Sequence, residues 1–371
     1  MSLLVAAEIA LGGRLAAGWA EIEGARLASA GHGPPPREPD ERLSGILAPG
    51  LCDLQVNGAA GHEVTGGGDA LDAIDAIQLA HGVTSYLPTL LSPDGETAER
   101  VLPQLAERAR NPRSPVAGAH LEGPFLSREH AGMHPAERLC SPADGVPDWI
   151  EHPAVRLVTL APELPGALDL IARLTERGIA VALGHSGASA EIARTAIDAG
   201  ARLVTHVFNA MAPLRPRAPG LVGVALTDQR VHVAVIADGV HVHPLALELV
   251  RLTAGSRATL VTDATPAAVA PAGRYQMAGV PIERADGAAR THDGRLAGST
   301  LTLDEAARNW STMTRATLAE ALFAASQAPA AVARLRDPFG AGAPADLTLL
   351  DPAGAIRRVM RRGQWVGEET T

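Results

Sequence analysis

From Leu51 onward the chain repeats one pattern: a short apolar run, a polar break, an amphipathic stretch of helical length, then another apolar run. The apolar runs occupy residues 51–56, 83–88, 116–121, 155–160, 179–183, 202–205, 232–237 and 259–262. Unbroken apolarity over so few residues marks strands buried on both faces, as in a parallel sheet. Between most of them, spacing near 3.6 predicts helices over 70–81, 96–110, 166–177, 189–199 and 244–253. Gly82, Gly178, Gly200 and Gly255 stand where such helices end. Eight strands alternating with helices predict an α/β fold, a (β/α)8 TIM-type barrel.

The two ends break this rhythm. Residues 3–9, 18–22 and 26–30 read as short strands with turns, and so do 345–350 and 356–366 around Gly363. Both ends are therefore β-rich. They predict a small β-sandwich domain built from residues 1–48 plus 340–371, beside a barrel domain spanning 49–339. Within the barrel, 271–294 reads as a β-hairpin excursion from the eighth βα loop, and 302–326 as a long helical stretch.

Composition narrows the function. Of the 371 residues 46% are hydrophobic but only 3% aromatic, so aliphatic side chains fill the core and stacking on nucleobases is disfavoured. The net charge of -9 opposes attraction to nucleic-acid phosphates. The apolar N-terminal stretch is interrupted by Glu8, Arg14 and Glu21, and no run of 18 apolar residues occurs. No membrane span is expected, and the protein reads as cytoplasmic. Cys52 and Cys140 lie outside any CxxC pattern and read as reduced thiols. The chain has no lysine, which excludes a lysine Schiff base and a lysine-carbamate bridge between two metals.

In such barrels the catalytic groups come from the C-terminal ends of the strands. Glu122, His185, His206, His241 and Asp263 all fall there. Two His and one Glu, with a fourth position open, form a known catalytic zinc set, and Glu122, His185 and His206 supply it. Such an ion lowers the pKa of water to about 7 and polarises a carbonyl. Asp263 can take the water proton and return it to a leaving nitrogen. His134 and His241 are candidates for orienting substrate or stabilising an oxyanion. Asn209 and Ala210, just beyond His206, offer polar and backbone groups.

Each assignment has a plainer rival. A lone buried His is more often a hydrogen-bonded core residue than a ligand, and His62, His81, His152, His232, His243 and His292 read as structural or surface groups. His120 shares a strand face with Glu122 and is expected to fill a barrel layer beneath the site. Arg217 lies on the proline-rich loop Arg215-Pro216-Arg217-Ala218-Pro219-Gly220. Spacing alone reads it as a solvated cation, although a guanidinium is also a natural phosphate fork.

Together the motifs His120-Leu121-Glu122-Gly123-Pro124, Gly132-Met133-His134, Gly184-His185-Ser186, Thr205-His206-Val207-Phe208-Asn209-Ala210-Met211, Ala237-Asp238-Gly239-Val240-His241 and Thr262-Asp263-Ala264 carry a resemblance. In order and spacing the chain resembles the N-acetylglucosamine-6-phosphate deacetylases of the amidohydrolase superfamily, from Ala48 to Ser299. The resemblance implies that Glu122, His185 and His206 bind one divalent metal ion per subunit and that Asp263 is the proton-transferring catalyst. Zinc is the expected ion, although a set of two His and one Glu also accepts Fe, Co or Mn. It implies substrate contacts from Met133, His134, Asn209, Ala210, Arg217, His241 and Leu296-Ala297-Gly298, and the same reading adds Gln55 and Asp238. It also implies a homodimer in which Arg217 reaches the phosphate in the neighbouring active site. Where many amidohydrolases carry His-x-His for a second metal, this chain has Gln55 and Asn57, poor zinc ligands, which points to one metal.

The expected reaction is removal of the acetyl group from N-acetylglucosamine 6-phosphate. The alternatives are N-acetylgalactosamine 6-phosphate or another N-acyl substrate, and a non-catalytic binding protein that keeps the fold.

Overall fold

The computed structural model describes residues 2–366; Met1 and 367–371, the last positions of the expected 340–371 segment, lie outside the described residues. The strands Leu51–Val56, Val83–Leu91, Ala119–Glu122, Val155–Leu160, Ala180–Leu183, Leu203–Val204, His232–Val235 and Ala258–Leu260 lie side by side in chain order, every pair parallel. Leu51–Val56, Ala119–Glu122 and Ala180–Leu183 are buried at every position, which is why they read as unbroken apolar runs. The seam between the last and first strands closes just beyond Leu260. Val56 and Ala264 form a parallel bridge, and the Thr262 hydroxyl donates to Asp53 Oδ2 at 2.6 Å.

The outer helices start where their caps predict. Asp94 accepts from the Thr97 N–H ahead of Gly95–Arg110, and Ser189 accepts from the Ile192 N–H ahead of Ala190–Asp198. The former buries Ala98, Val101, Leu102 and Leu105 on one stripe against the sheet.

Two departures from the sequence reading have local causes. Helix Gly220–Thr227 goes unpredicted because it is apolar all round: six of its eight residues are buried, so no polar stripe marks a 3.6 period. The stretch 302–326 divides into Leu303–Met313 and Leu318–Ala324, because Thr317 and Glu320 form a capping box that starts a second helix.

The chain ends meet in one seven-stranded sheet. Its order is Gln364–Val366, Ile356–Arg361, Leu347–Leu350, Glu41–Pro49, Ser2–Leu11, Arg14–Glu23 and Arg26–His32. The sheet folds back on itself, with Arg26 bridging Pro344 and the Leu27 N–H donating to the Ala343 carbonyl at 2.9 Å. Val5, Ile9, Leu27, Leu47, Leu347 and Met360 fill the interior between its two layers.

The excursion after the eighth strand is a three-stranded antiparallel sheet, Gly273–Met277, Val280–Ala285 and Ala288–Thr291, one strand more than a hairpin. Its Met277, Ile282 and Ala289 pack with Leu91, Met133 and Ala297 into a small core on the C-terminal rim of the barrel. Among the described residues no helix is long and apolar enough to cross a membrane.

Candidate active site

The C-terminal rim encloses a cavity of about 260 Å³. Glu122 ends the third strand, while His185, His206 and Asp263 follow the fifth, sixth and eighth by a few residues. The last three adopt left-handed backbone, with φ of +47°, +22° and +50°. For residues other than glycine this costs about 1–3 kcal/mol each, and such conformations gather where a site holds side chains in place. Here they coincide with three residues facing one cavity.

Glu122 Oε1 lies 3.2 Å from His185 Nε2 and 3.0 Å from His206 Nε2, and the two Nε2 atoms are 3.1 Å apart. Ligands on a tetrahedral ion with bonds of about 2.1 Å stand roughly 3.4 Å apart, so the triangle has the right size. The tautomer of His185 supports the same reading. Its Nδ1 donates to the His130 carbonyl at 2.9 Å, which leaves a lone pair on Nε2 in the neutral ring. A lone pair, a second imidazole nitrogen and a carboxylate oxygen thus converge on one point, the arrangement that ligands take around a cation. This buried Glu/His/His group fits a divalent metal ion.

Burial alone would raise the Glu122 carboxyl, but the imidazoles of His134, His185 and His206 gathered around it outweigh burial and hold the group well below its usual range. Asp263 moves the other way: burial, then the charge of Glu122, push it up to about 6. Its Oδ1 accepts from Asn57 Nδ2 at 2.7 Å and Gln55 Nε2 at 3.1 Å, leaving Oδ2 for a proton. His134 bonds through Nδ1 to the Ser92 hydroxyl at 2.8 Å and places Nε2 3.6 Å from Glu122 Oε2. Burial pushes its pKa down and favours the neutral ring. His241 donates from Nδ1 to Asp238 Oδ2 at 2.6 Å, which fixes its ring at the cavity wall. Beneath the site His120 is fully buried between Thr89 and Thr159, filling the expected layer, and burial lowers it to about 4.

Of the residues expected to touch substrate, Met133, His134, Asn209, Ala210, His241, Leu296 and Gly298 line the cavity. Four are placed otherwise. Gln55 is buried behind the cavity wall, its oxygen accepting the Thr205 hydroxyl at 2.8 Å and its nitrogen serving Glu122 and Asp263. Asp238 accepts from the N–H groups of Val240 and His241 as well as from the His241 ring, so it orients His241. Ala297 is fully buried and its N–H is spent on the Ala289 carbonyl. Arg217 is exposed on its loop and does not line this chain's cavity.

The sequence reading missed Arg295, the one arginine on the cavity wall among the described residues. Its Nε donates to Asp293 Oδ2 at 2.8 Å and its Nη1 donates to the Gly132 carbonyl, tying the excursion to the loop that carries His134. Its only sequence signal is its place directly before Leu296-Ala297-Gly298. Asn57 was read as a lost ligand; its second role, holding Asp263, follows from the strand period that puts it on the same face as Gln55.

No family model matches the chain. It is 37% identical over 362 residues to the N-acetylgalactosamine-6-phosphate deacetylase of Escherichia coli O157:H7, covering 94% of this chain and 95% of that protein. It is 38% identical over 343 residues to the N-acetylglucosamine-6-phosphate deacetylase of Homo sapiens, covering 86% and 83%. Among solved structures, the N-acetyl-D-glucosamine-6-phosphate deacetylase of Mycobacterium smegmatis, a mutant in complex with N-acetyl-D-glucosamine-6-phosphate, superposes with a TM-score of 0.89 at 34% identity, over 98% of this chain and 99% of that one. A Xaa-Pro dipeptidase matches at a TM-score of 0.60 and 12% identity, over 99% and 100%, and shares the fold alone.

Proposed function

We propose that this chain, which belongs to the N-acetylglucosamine-6-phosphate deacetylase family, hydrolyses the acetamide of N-acetylglucosamine 6-phosphate to glucosamine 6-phosphate and acetate. The observation that carries this reading is the convergence of Glu122, His185 and His206 on one point beside Asp263, in a chain alike to such enzymes over most of its length. A divalent ion held by those three residues, zinc in our reading, supplies a nucleophile from water near neutral pH and polarises the acetamide carbonyl.

The chain's own groups do the rest. Asp263, with Oδ1 fixed by Asn57 and Gln55, uses Oδ2 to take the proton of the attacking water and to hand it to the departing nitrogen. His134, neutral and held by Ser92, turns its Nε2 toward the acetamide and stabilises the oxygen on which charge develops. Asn209, Ala210 and His241 receive the sugar phosphate, joined by Arg295 of the same chain.

Arg217 completes this subsite from a second copy in a homodimer. A stripe of exposed leucines supports that assembly: Leu245, Leu249 and Leu252 are 77%, 38% and 65% exposed. Their helix Pro244–Ala254 packs beside Gly220–Thr227, which follows the Arg217 loop. A cytoplasmic location accords with the two free cysteines.

Similarity to the Escherichia coli relative favours N-acetylgalactosamine 6-phosphate as a second substrate. Assay of zinc-loaded protein with both phosphorylated sugars, reading acetate release, tests the reading. Turnover of one or both is expected, and turnover of neither overturns it.

A further inference from the structure

At the opposite end of the barrel, the strand N-termini face the β domain across a second cavity of about 290 Å³, as large as the catalytic one. Among the described residues its wall carries four guanidinium groups, Arg156, Arg336, Arg361 and Arg362, and one carboxylate, Asp346. Among the described residues this wall thus carries an excess of three positive charges, in a chain whose net charge is -9. Nothing in the deacetylation described above uses them.

The hydrogen bonds leave the same excess. Arg361 is anchored: Nη1 donates to Asp346 and, at 2.7 Å, to the Thr84 carbonyl, and Nη2 donates to the Ser114 carbonyl at 2.9 Å. Its Nε, and the Nε of Arg362, are buried without an acceptor. Among the described residues no carboxylate lies within ion-pair distance of the Arg156 or Arg362 guanidinium, although the Arg362 N–H donates to Asp346 Oδ1 at 2.7 Å, and Arg336 reaches only the Ala341 carbonyl, at 3.3 Å. Buried N–H groups in folded proteins are almost always paired, so two orphans from adjacent guanidiniums mark a place where an acceptor belongs. Burial, and next to it the charge of Arg362, push the Arg361 guanidinium below its usual value despite Asp346, so a second anion would relieve it.

We propose that this cavity binds a small phosphate monoester, with its phosphate among Arg156, Arg336 and Arg362 and its polar body toward Asn111 and Ser114. A phosphate suits the wall better than a carboxylate, because a dianion with three acceptor oxygens answers several forked donors at once. The volume is close to that of the catalytic cavity, so a ligand of about the size of a hexose monophosphate fits. The occupant bridges the two parts of the fold, since Arg362 directly follows strand Ile356–Arg361 of the β domain while Arg156 belongs to a barrel strand. It therefore stiffens the joint between them.

Calorimetric titration of the metal-loaded protein with inorganic phosphate tests this, carried out in a His241→Ala background so that the catalytic phosphate subsite is weakened. Saturable binding is expected there, weakened at least tenfold when Arg156→Ala and Arg336→Ala are added. Both of those residues are exposed, and neither lies in the catalytic machinery, so the double variant alone should keep wild-type turnover. If the added pair unfolds the protein, Arg362→Gln should give the same loss. Absence of phosphate binding in the His241→Ala protein, or equal binding with and without the arginine substitutions, overturns the proposal.

Discussion

The side-chain oxygen of Gln55 accepts the Thr205 hydroxyl at 2.8 Å, and this bond helps set which way the Gln55 amide faces. With the oxygen so engaged, the nitrogen points at Glu122 Oε1, 3.0 Å away, and Asp263 Oδ1, 3.1 Å away. One amide thus spaces the group that would hold the metal from the group that would move the proton. Thr205→Val keeps the shape but strands a buried acceptor, a loss of about 1–3 kcal/mol. We expect kcat/KM to fall about tenfold with metal content unchanged. Wild-type kinetics in this variant would show that Gln55 needs no such anchor.

Because Glu122, His185 and His206 form one compact triangle, and Gln55 and Asn57 stand where a second set of ligands would be needed, the chain should hold one ion per subunit. Chelation should abolish turnover, and one equivalent of zinc should restore it. Glu122→Gln weakens the set by replacing a carboxylate with an amide. Elemental analysis should then find well under one zinc per subunit. A restoration curve that needs two equivalents would contradict the single-ion reading.

Asp263→Asn should bind zinc at the wild-type ratio and yet lose turnover by about a thousandfold or more, the scale of a general base that also serves as the acid. In the metal-free chain its carboxyl sits at about 6. The base must be ionised, so kcat/KM falls as pH drops through that value, and the charge of a bound cation draws the limb lower still. A pH profile should therefore show an acid limb at or below pH 6. Unchanged activity in Asp263→Asn would remove the residue from proton transfer.

Arg295 faces the cavity but shares its charge with Asp293. Arg295→Ala should raise KM for the phosphorylated sugar about tenfold, worth about 1.4 kcal/mol, and leave kcat within about twofold. Unphosphorylated N-acetylglucosamine, turned over more slowly, should show no change in KM. An equal loss on both sugars would mean that the residue only ties the excursion to Gly132.

The barrel was legible because parallel strands buried on both faces must be apolar throughout, and the position of the candidate site because polar residues at such strand ends are out of place unless used. What stayed hidden depends on which partner a polar atom finds. Gln55 and Asp238 are expected at the substrate, yet their hydrogen bonds go to Thr205 and His241. Arg295 reaches the cavity only because a three-stranded excursion folds back over the rim. Arg156 and Arg362 face one cavity although more than half the chain separates them. Helix Gly220–Thr227 was invisible for the opposite reason, since uniform burial erases periodicity.

Asp53 lies fully buried in the barrel seam, where Oδ2 accepts the Thr262 hydroxyl at 2.6 Å and Oδ1 accepts the N–H groups of Gln55 and Thr262 at 3.2 and 3.3 Å. Burial outweighs these bonds and raises the carboxyl from 3.8 to about 7. The folded chain therefore holds a proton that the unfolded chain has lost, between about pH 4 and pH 7. Asp53 thus lowers stability as pH rises through that window, by roughly 4 kcal/mol in all, and the loss stays constant above it. Asn in its place accepts the same two N–H groups and donates to Thr262, without a charge to bury. Asp53→Asn should therefore melt higher than wild type at pH 8, and the gap should close as pH falls toward 5. Denaturant melts of both proteins at pH 5, 6.5 and 8 read this directly. A gap that is absent at pH 8, or that widens on acidification, would show that the seam carries Asp53 ionised.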